Sequence, residues 1–182
     1  MERRGVLKLI GAGLLAERIE AVEQQLFQIA SAPETYRLAF FSPSQNRVVD
    51  VLMEMIIPAD GHSPGAREAK VSFFADLIVA NSDNTVRQLW TKGLASLDNE
   101  CRTRFGAPFL SLAPAQQDRI LAAAAANEAH PVSGLDQFFL ELKLMTINGY
   151  YTSSIGIHRD LQYKGNTALP GYNGCTHPEH KA

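Results

Sequence analysis

The stretch Asp83-Asn84-Thr85-Val86-Arg87-Gln88-Leu89-Trp90-Thr91-Lys92-Gly93-Leu94-Ala95-Ser96-Leu97-Asp98-Asn99-Glu100-Cys101 decides the fold class. Val86, Leu89, Trp90, Leu94, Leu97 and Cys101 recur at steps of three and four, with charged and amide side chains between them. That is the period of an amphipathic helix. Ser82 or Asp83 supplies the N-cap, so the spacing predicts a helix from about residue 84 to 104. Cys101 falls on its inward stripe and reads as a small core residue.

The same pattern extends both ways. Upstream, Ser42 caps and Pro43 opens a helix whose face is Val48, Val49, Leu52, Met55 and Ile56, and Pro58 stops it. A turn-rich loop follows from Ala59 to Ala66, then a helix over about 66–80 with Val71, Phe74, Leu77 and Ile78 facing in. Residues 14–30 read as another amphipathic helix, joined to the rest by an aromatic linker from Thr35 to Phe41. Downstream, Pro114 opens a helix whose run Ala122–Ala126 suits close approach of a neighbour. Ser133 caps a last long helix over about 134–150, with Leu135, Phe138, Phe139, Leu142 and Met145 facing in. β-Alternation of useful length is absent. The expected fold is all-α, an irregular bundle of about six helices with a long non-regular C-terminal tail. The expected division is residues 1–16 as a signal segment, 17–163 as the helical domain and 164–182 as the tail.

The chain has 182 residues, 46% of them hydrophobic, 20% charged and 8% aromatic. Folding at this size buries about 70% of the open chain's surface, enough for one core. Seventeen Lys+Arg against 19 Asp+Glu leave a net charge of -2, without the basic excess of a nucleic-acid binder. No apolar run reaches the roughly 18 residues of a membrane span.

At the start, Arg3-Arg4 with Val6, Leu7, Lys8 and the Gly/Ala-rich stretch to Ala16 resembles a twin-arginine export signal, a receptor-read address rather than an anchor. It implies a periplasmic location. The apolar segment is short and broken by Lys8, which leaves a cytoplasmic location, with an ordinary basic helix start, as the alternative.

At the other end, Cys175-x-His177-x-x-His180 holds ligand types for zinc or copper, without an evident fourth ligand. Cys175 can also bridge to Cys101 or to another chain, or both thiols can stay free. The intramolecular bridge would stabilise by about 4 kcal/mol in the chain-entropy model. Ser153 and Ser154 lie near His158 and Asp160 in sequence, but no Gly-x-Ser-x-Gly accompanies them. A glycine-rich dinucleotide motif after a strand is also missing. Four of the five tyrosines, Tyr150, Tyr151, Tyr163 and Tyr172, fall in the last third, beside a tail rich in Gly, Pro and Asn. With Asn166, Cys175, His177 and His180 they are the candidates for a partner interface.

Two blocks carry a family resemblance. One is Ile56-Ile57-Pro58-Ala59-Asp60 with Ser63-Pro64-Gly65-Ala66-Arg67-Glu68-Ala69-Lys70-Val71 and Phe74-Ala75-Asp76. The other is Thr146-Ile147-Asn148-Gly149-Tyr150-Tyr151-Thr152-Ser153, continued by Leu161-Gln162-Tyr163-Lys164-Gly165-Asn166 and Gly174-Cys175-Thr176-His177-Pro178-Glu179-His180. Together with the paired arginines they resemble the gluconate 2-dehydrogenase subunit 3 family over about residues 44–180. The tail is most similar to small subunits of glucoside 3-dehydrogenases. The resemblance implies a non-catalytic small subunit without a cofactor of its own. Its partner would be a large FAD-binding flavoprotein of the glucose–methanol–choline (GMC) type that oxidises a sugar, with a cytochrome c as a third, haem-bearing subunit. The small subunit would support folding, stability and export of the large one. Two alternatives are a tail that completes the partner's sugar site and a free-standing metal-binding helical protein.

Overall fold

A computed structural model describes residues 21–29 and 31–165 of the chain. Six α-helices appear among them: α1 over residues 21–29, α2 (Pro43–Ile56), α3 (Val71–Asn81), α4 (Asn84–Phe105), α5 (Pro114–Ala126) and α6 (Gly134–Tyr151). Short 3-10 turns lie at Pro33–Thr35 and Phe109–Ser111, and a π-helical turn at Gly156–Asp160. The described residues are all-α, as the periodicity predicts, with no strand among them.

Local chemistry sets the helix ends. Ser42 Oγ accepts from Gln45 N (3.2 Å) while the Gln45 side chain accepts from Ser42 N (2.9 Å), a reciprocal cap that Pro43 completes. Asp83 accepts from the N–H groups of Thr85 (2.8 Å) and Val86 (3.1 Å). Ser133 caps α6 through Asp136 N. Gly106 ends α4 with φ 73°, the left-handed conformation that glycine reaches without strain.

Helix α6 lies against α2, α3, α4 and α5 and organises the bundle. At its centre Trp90 of α4 sits between Phe41 and Phe138, with ring centroids 5.4 and 5.3 Å away. Gly93, one turn along α4, leaves room for the Phe138 ring of α6. A β-carbon there would stand 2.2 Å from the Phe138 ring. In the alanine run of α5, expected to suit close approach of a neighbour, Ala124 is buried and Ala122 and Ala126 are exposed.

Helix α3 begins at Val71, five residues later than its spacing suggests. Lys70 takes a left-handed conformation (φ 56°, ψ 34°), so a helix cannot run through it, and residues 66–70 form a turn instead. Asp76 is the one charged residue of α3 and is fully buried. Its carboxylate accepts from the backbone N–H of Ala39 (2.6 Å), Phe40 (3.0 Å) and Phe41 (2.6 Å) and from the Tyr36 hydroxyl (2.8 Å). One buried anion thus pins the aromatic linker onto α3, and it is tolerated because four donors replace its water. Burial, then the bond to Asp76, pushes the Tyr36 hydroxyl's pKa well up.

Asp76→Asn keeps the volume but turns one acceptor oxygen into a donor facing N–H groups. The expected cost is about 2–4 kcal/mol. It should be read as a lower denaturant midpoint at unchanged slope.

Candidate functional site

The fold brings the two sequence blocks together. The loop after α2 and the C-terminal end of α6 meet at Tyr150, which is 1% exposed. Its hydroxyl lies 2.6 Å from Ser63 Oγ and 2.6 Å from the Pro64 carbonyl. A carbonyl only accepts, so the phenol donates to Pro64, and Ser63 Oγ, which also donates to that carbonyl at 3.3 Å, closes a three-membered hydroxyl–carbonyl cluster.

The loop is braced from three further sides. Glu54, near the end of α2, accepts from Ala59 N (3.1 Å) through one carboxylate oxygen and from Arg67 N (2.8 Å) through the other. Ala66 N bonds the Ile57 carbonyl at 2.9 Å and closes the loop's neck. Gly65 passes beneath this brace. A β-carbon there would lie 2.5 Å from Ala59 N and from both Glu54 oxygens, so only glycine fits. At the tip, Asp60 accepts from the N–H of His62 and of Ser63, each at 2.8 Å. Those two backbone bonds hold the Asp60 pKa below its ordinary 3.8. The result is a braced loop whose tip, residues 58–62, is exposed.

The chain beyond α6 folds back against this loop. Ser153 Oγ donates to the Tyr150 carbonyl (2.6 Å) and accepts from Gly156 N (3.1 Å). Gly156 lies so close that a β-carbon would meet the Tyr150 carbonyl at 2.2 Å. The π-helical turn then carries Asp160 to the loop tip. His62 Nε2 lies 3.0 Å from the Asp160 carbonyl and 3.6 Å from its carboxylate. Tyr151 packs edge-on against Tyr150 (5.1 Å, 87°) and is 39% exposed. Burial, then hydrogen bonding to Asp160, raises its pKa. Tyr163 is half exposed, and its N–H bonds the Ile157 carbonyl at 3.0 Å.

The interface candidates therefore separate. Tyr150 belongs to the core and offers no exposed surface among the described residues, because its phase on α6 points it inward and its hydroxyl is satisfied there. Tyr151 and Tyr163 lie at the surface, at one end of the molecule. Asn166, Tyr172, Cys175, His177 and His180 lie outside the described residues, as does the 1–16 segment. Cys101 is fully buried, and burial, then Asp98 and Glu100, pushes its thiol pKa up to about 11. Ser153 is committed to the helix end. No group of three or more His, Cys, Asp or Glu side chains converges among the described residues. Sequence reasoning passed over Glu54, Ser63 and Asp76. Asp76 did carry a signal, since a lone carboxylate in an apolar helix must find donors.

The family model described as "Gluconate 2-dehydrogenase subunit 3" matches residues 43–171, starting at the first residue of α2 and covering the first block and the second as far as Asn166, while the Gly174–His180 stretch lies beyond it. The chain belongs to this family. No curated protein and no solved structure matches it. The family is that of a subunit of a multi-subunit dehydrogenase. No helix among the described residues is long and apolar enough to cross a membrane. Residues from the two blocks hold one another in place: Tyr150 couples to Ser63 and Pro64, and Gly149 lets α6 approach Val71 and Phe74 of α3. A surface cleft of about 540 Å³ lies between α2, α4 and the 109–111 turn, lined by Val48, Leu94, Leu97, Phe109 and Leu110. A second, of about 570 Å³, lies between α1 and the end of α6. Both are mainly apolar.

Tyr150→Phe removes the 2.6 Å bonds to the Ser63 hydroxyl and the Pro64 carbonyl and leaves only the longer 3.3 Å bond between those two. It should cost about 1–3 kcal/mol and speed amide exchange across residues 59–66. Asp60 predicts a pH response of the loop tip. Its folded pKa is depressed, so its contribution is complete above 3.8 and fades as pH falls through the lower folded value. Amide protection of His62 and Ser63 should follow that curve, and in Asp60→Ala it should be low at every pH.

Proposed function

We propose that this chain is the non-catalytic small subunit of a heteromeric FAD-dependent sugar dehydrogenase. The observation that carries the reading is the family match over residues 43–171. The use of the polar side chains supports it. Asp76, Glu54, Asp60 and Tyr150 spend their hydrogen bonds on backbone and loop geometry, which is what a scaffold needs. In this reading a GMC-type flavoprotein holds FAD and oxidises the sugar, and a cytochrome c accepts the electrons. The small subunit stabilises the flavoprotein. Through Arg3-Arg4 it also directs the folded pair to the periplasm. Export of folded cargo needs an interface that survives transit, hence a large one.

Co-expression supplies the test. The catalytic flavoprotein should gain soluble, flavin-loaded yield severalfold when this chain is present, while the chain purified alone shows no flavin absorbance. Replacing Arg3 and Arg4 together by lysine should hold both proteins in the cytoplasm without loosening their association. An unchanged flavoprotein yield with and without the chain would overturn the reading.

A further inference from the structure

Helix α6 is apolar on two sides. Phe138, Phe139, Leu142, Met145 and Tyr150 are buried against the bundle. At 3.6 residues per turn a second stripe, Leu140, Leu144, Ile147 and Tyr151, steps by four, three and four along the opposite side. Leu144 is 57% and Tyr151 39% exposed, and Leu140 and Ile147 are partly exposed. A helix on a protein surface normally turns charged side chains to water. Helix α4 does so, with Arg87, Lys92 and Arg102 exposed. Helix α6 does not. The sequence has no Asp, Glu, Lys, Arg or His between Lys143 and His158, in a chain that is 20% charged overall. The patch continues past the helix end. Asp160 is a hydrogen-bond partner of Tyr151, and Leu161, 59% exposed, follows it. A helix apolar all round belongs in an interior, and among the described residues α6 finds one on one side only.

We propose that the outer stripe of α6, Leu140, Leu144, Ile147 and Tyr151 with Leu161 beyond it, docks into an uncharged, apolar groove of the catalytic dehydrogenase subunit. The inference rests on the proposed function and gives it a location. The partner's class comes from the family, that of a dehydrogenase subunit. The four-three-four spacing is that of a seam whose side chains seat as knobs between those of a facing surface. Area argues against a second copy. At their exposures these five side chains offer roughly 400 Å², a patch of the size that marks an interaction site on a monomer. Two copies laid stripe on stripe would bury about 800 Å² in total, the size of a packing contact and short of the roughly 1,200 Å² of a stable interface. Two convex helices also touch only around their crossing point. A grooved partner wraps the stripe and reaches the exposed amides of Gln137 and Asn148 beside it, which supply the polar rim of a heteromeric contact.

The test uses the full-length chain and the purified catalytic flavoprotein in a binding titration. Leu144→Lys keeps a good helix former at an exposed position, and its Tm should match the wild type. It should raise Kd about tenfold or more. Leu110→Lys is the control. Leu110 is also exposed, at 41%, but it lines a cleft to which α6 contributes no residue, and its Kd should stay within about twofold of wild type. Hydroxyl-radical footprinting of the wild-type proteins is an independent reading. Leu144 and Tyr151 should be oxidised readily in the free chain and severalfold more slowly in the complex. Wild-type binding that Leu144→Lys leaves intact, with no slowing at Leu144 or Tyr151, overturns the docking face but not the proposed function. Absence of wild-type binding overturns both. Slow oxidation of Leu144 already in the free chain also overturns the face. It gives the stripe to a second copy if the chain sediments as a dimer, and to another segment of the same chain if it sediments as a monomer.

Discussion

The buried hydroxyl of Tyr150 fixes the geometry on which the rest depends. It lies between Ser63 and Pro64, so the loop after α2 and the last turn of α6 cannot move independently. Almost ninety residues of chain separate these partners, and a contact over that distance commits the topology. Helices α3, α4 and α5 are made within the loop it closes. Gly149 and Gly156 permit the contact, the first by letting α6 lie against α3 and the second by letting the chain fold back on the Tyr150 carbonyl.

A second constraint has the same form. Asp76 gathers three backbone N–H groups and the Tyr36 hydroxyl, and so converts the 36–41 linker from loose chain into part of the wall around Trp90. In both places a buried polar group fixes a non-helical segment, while apolar stripes place the helices. Helices alone leave the loops undetermined, because dispersion and area burial are nearly indifferent to loop conformation. Directional bonds to Glu54, Asp60, Asp76 and Tyr150 determine them.

The helices were legible because their stripes are long and their caps explicit: Ser42 with Pro43, Asp83, Pro114 and Ser133 each mark a start within a residue or two. The start of α3 was not, since the left-handed turn at Lys70 has no glycine to announce it. The burial of Tyr150 is encoded by phase rather than by composition. Phe139, Leu142, Thr146 and Tyr150 step along α6 at three and four residues, which puts Tyr150 inside and its neighbour Tyr151 at the rim. Clustering of tyrosines near a Gly/Pro-rich tail said nothing about which of them is buried. The loop's internal bonds were invisible because they join residues by conformation rather than by spacing. Asp60 was the partial exception, as an aspartate opening a Gly-containing turn commonly caps the following N–H groups.

The central claim is that this chain serves a catalytic partner and does not turn over substrate alone. The most direct measurement is dye-coupled oxidation of a panel of sugars, with FAD supplied, by the isolated monodisperse chain and by the same chain combined with its flavoprotein. The predicted result is no turnover by the isolated chain and full turnover by the pair. Sugar oxidation by the isolated chain would contradict the claim.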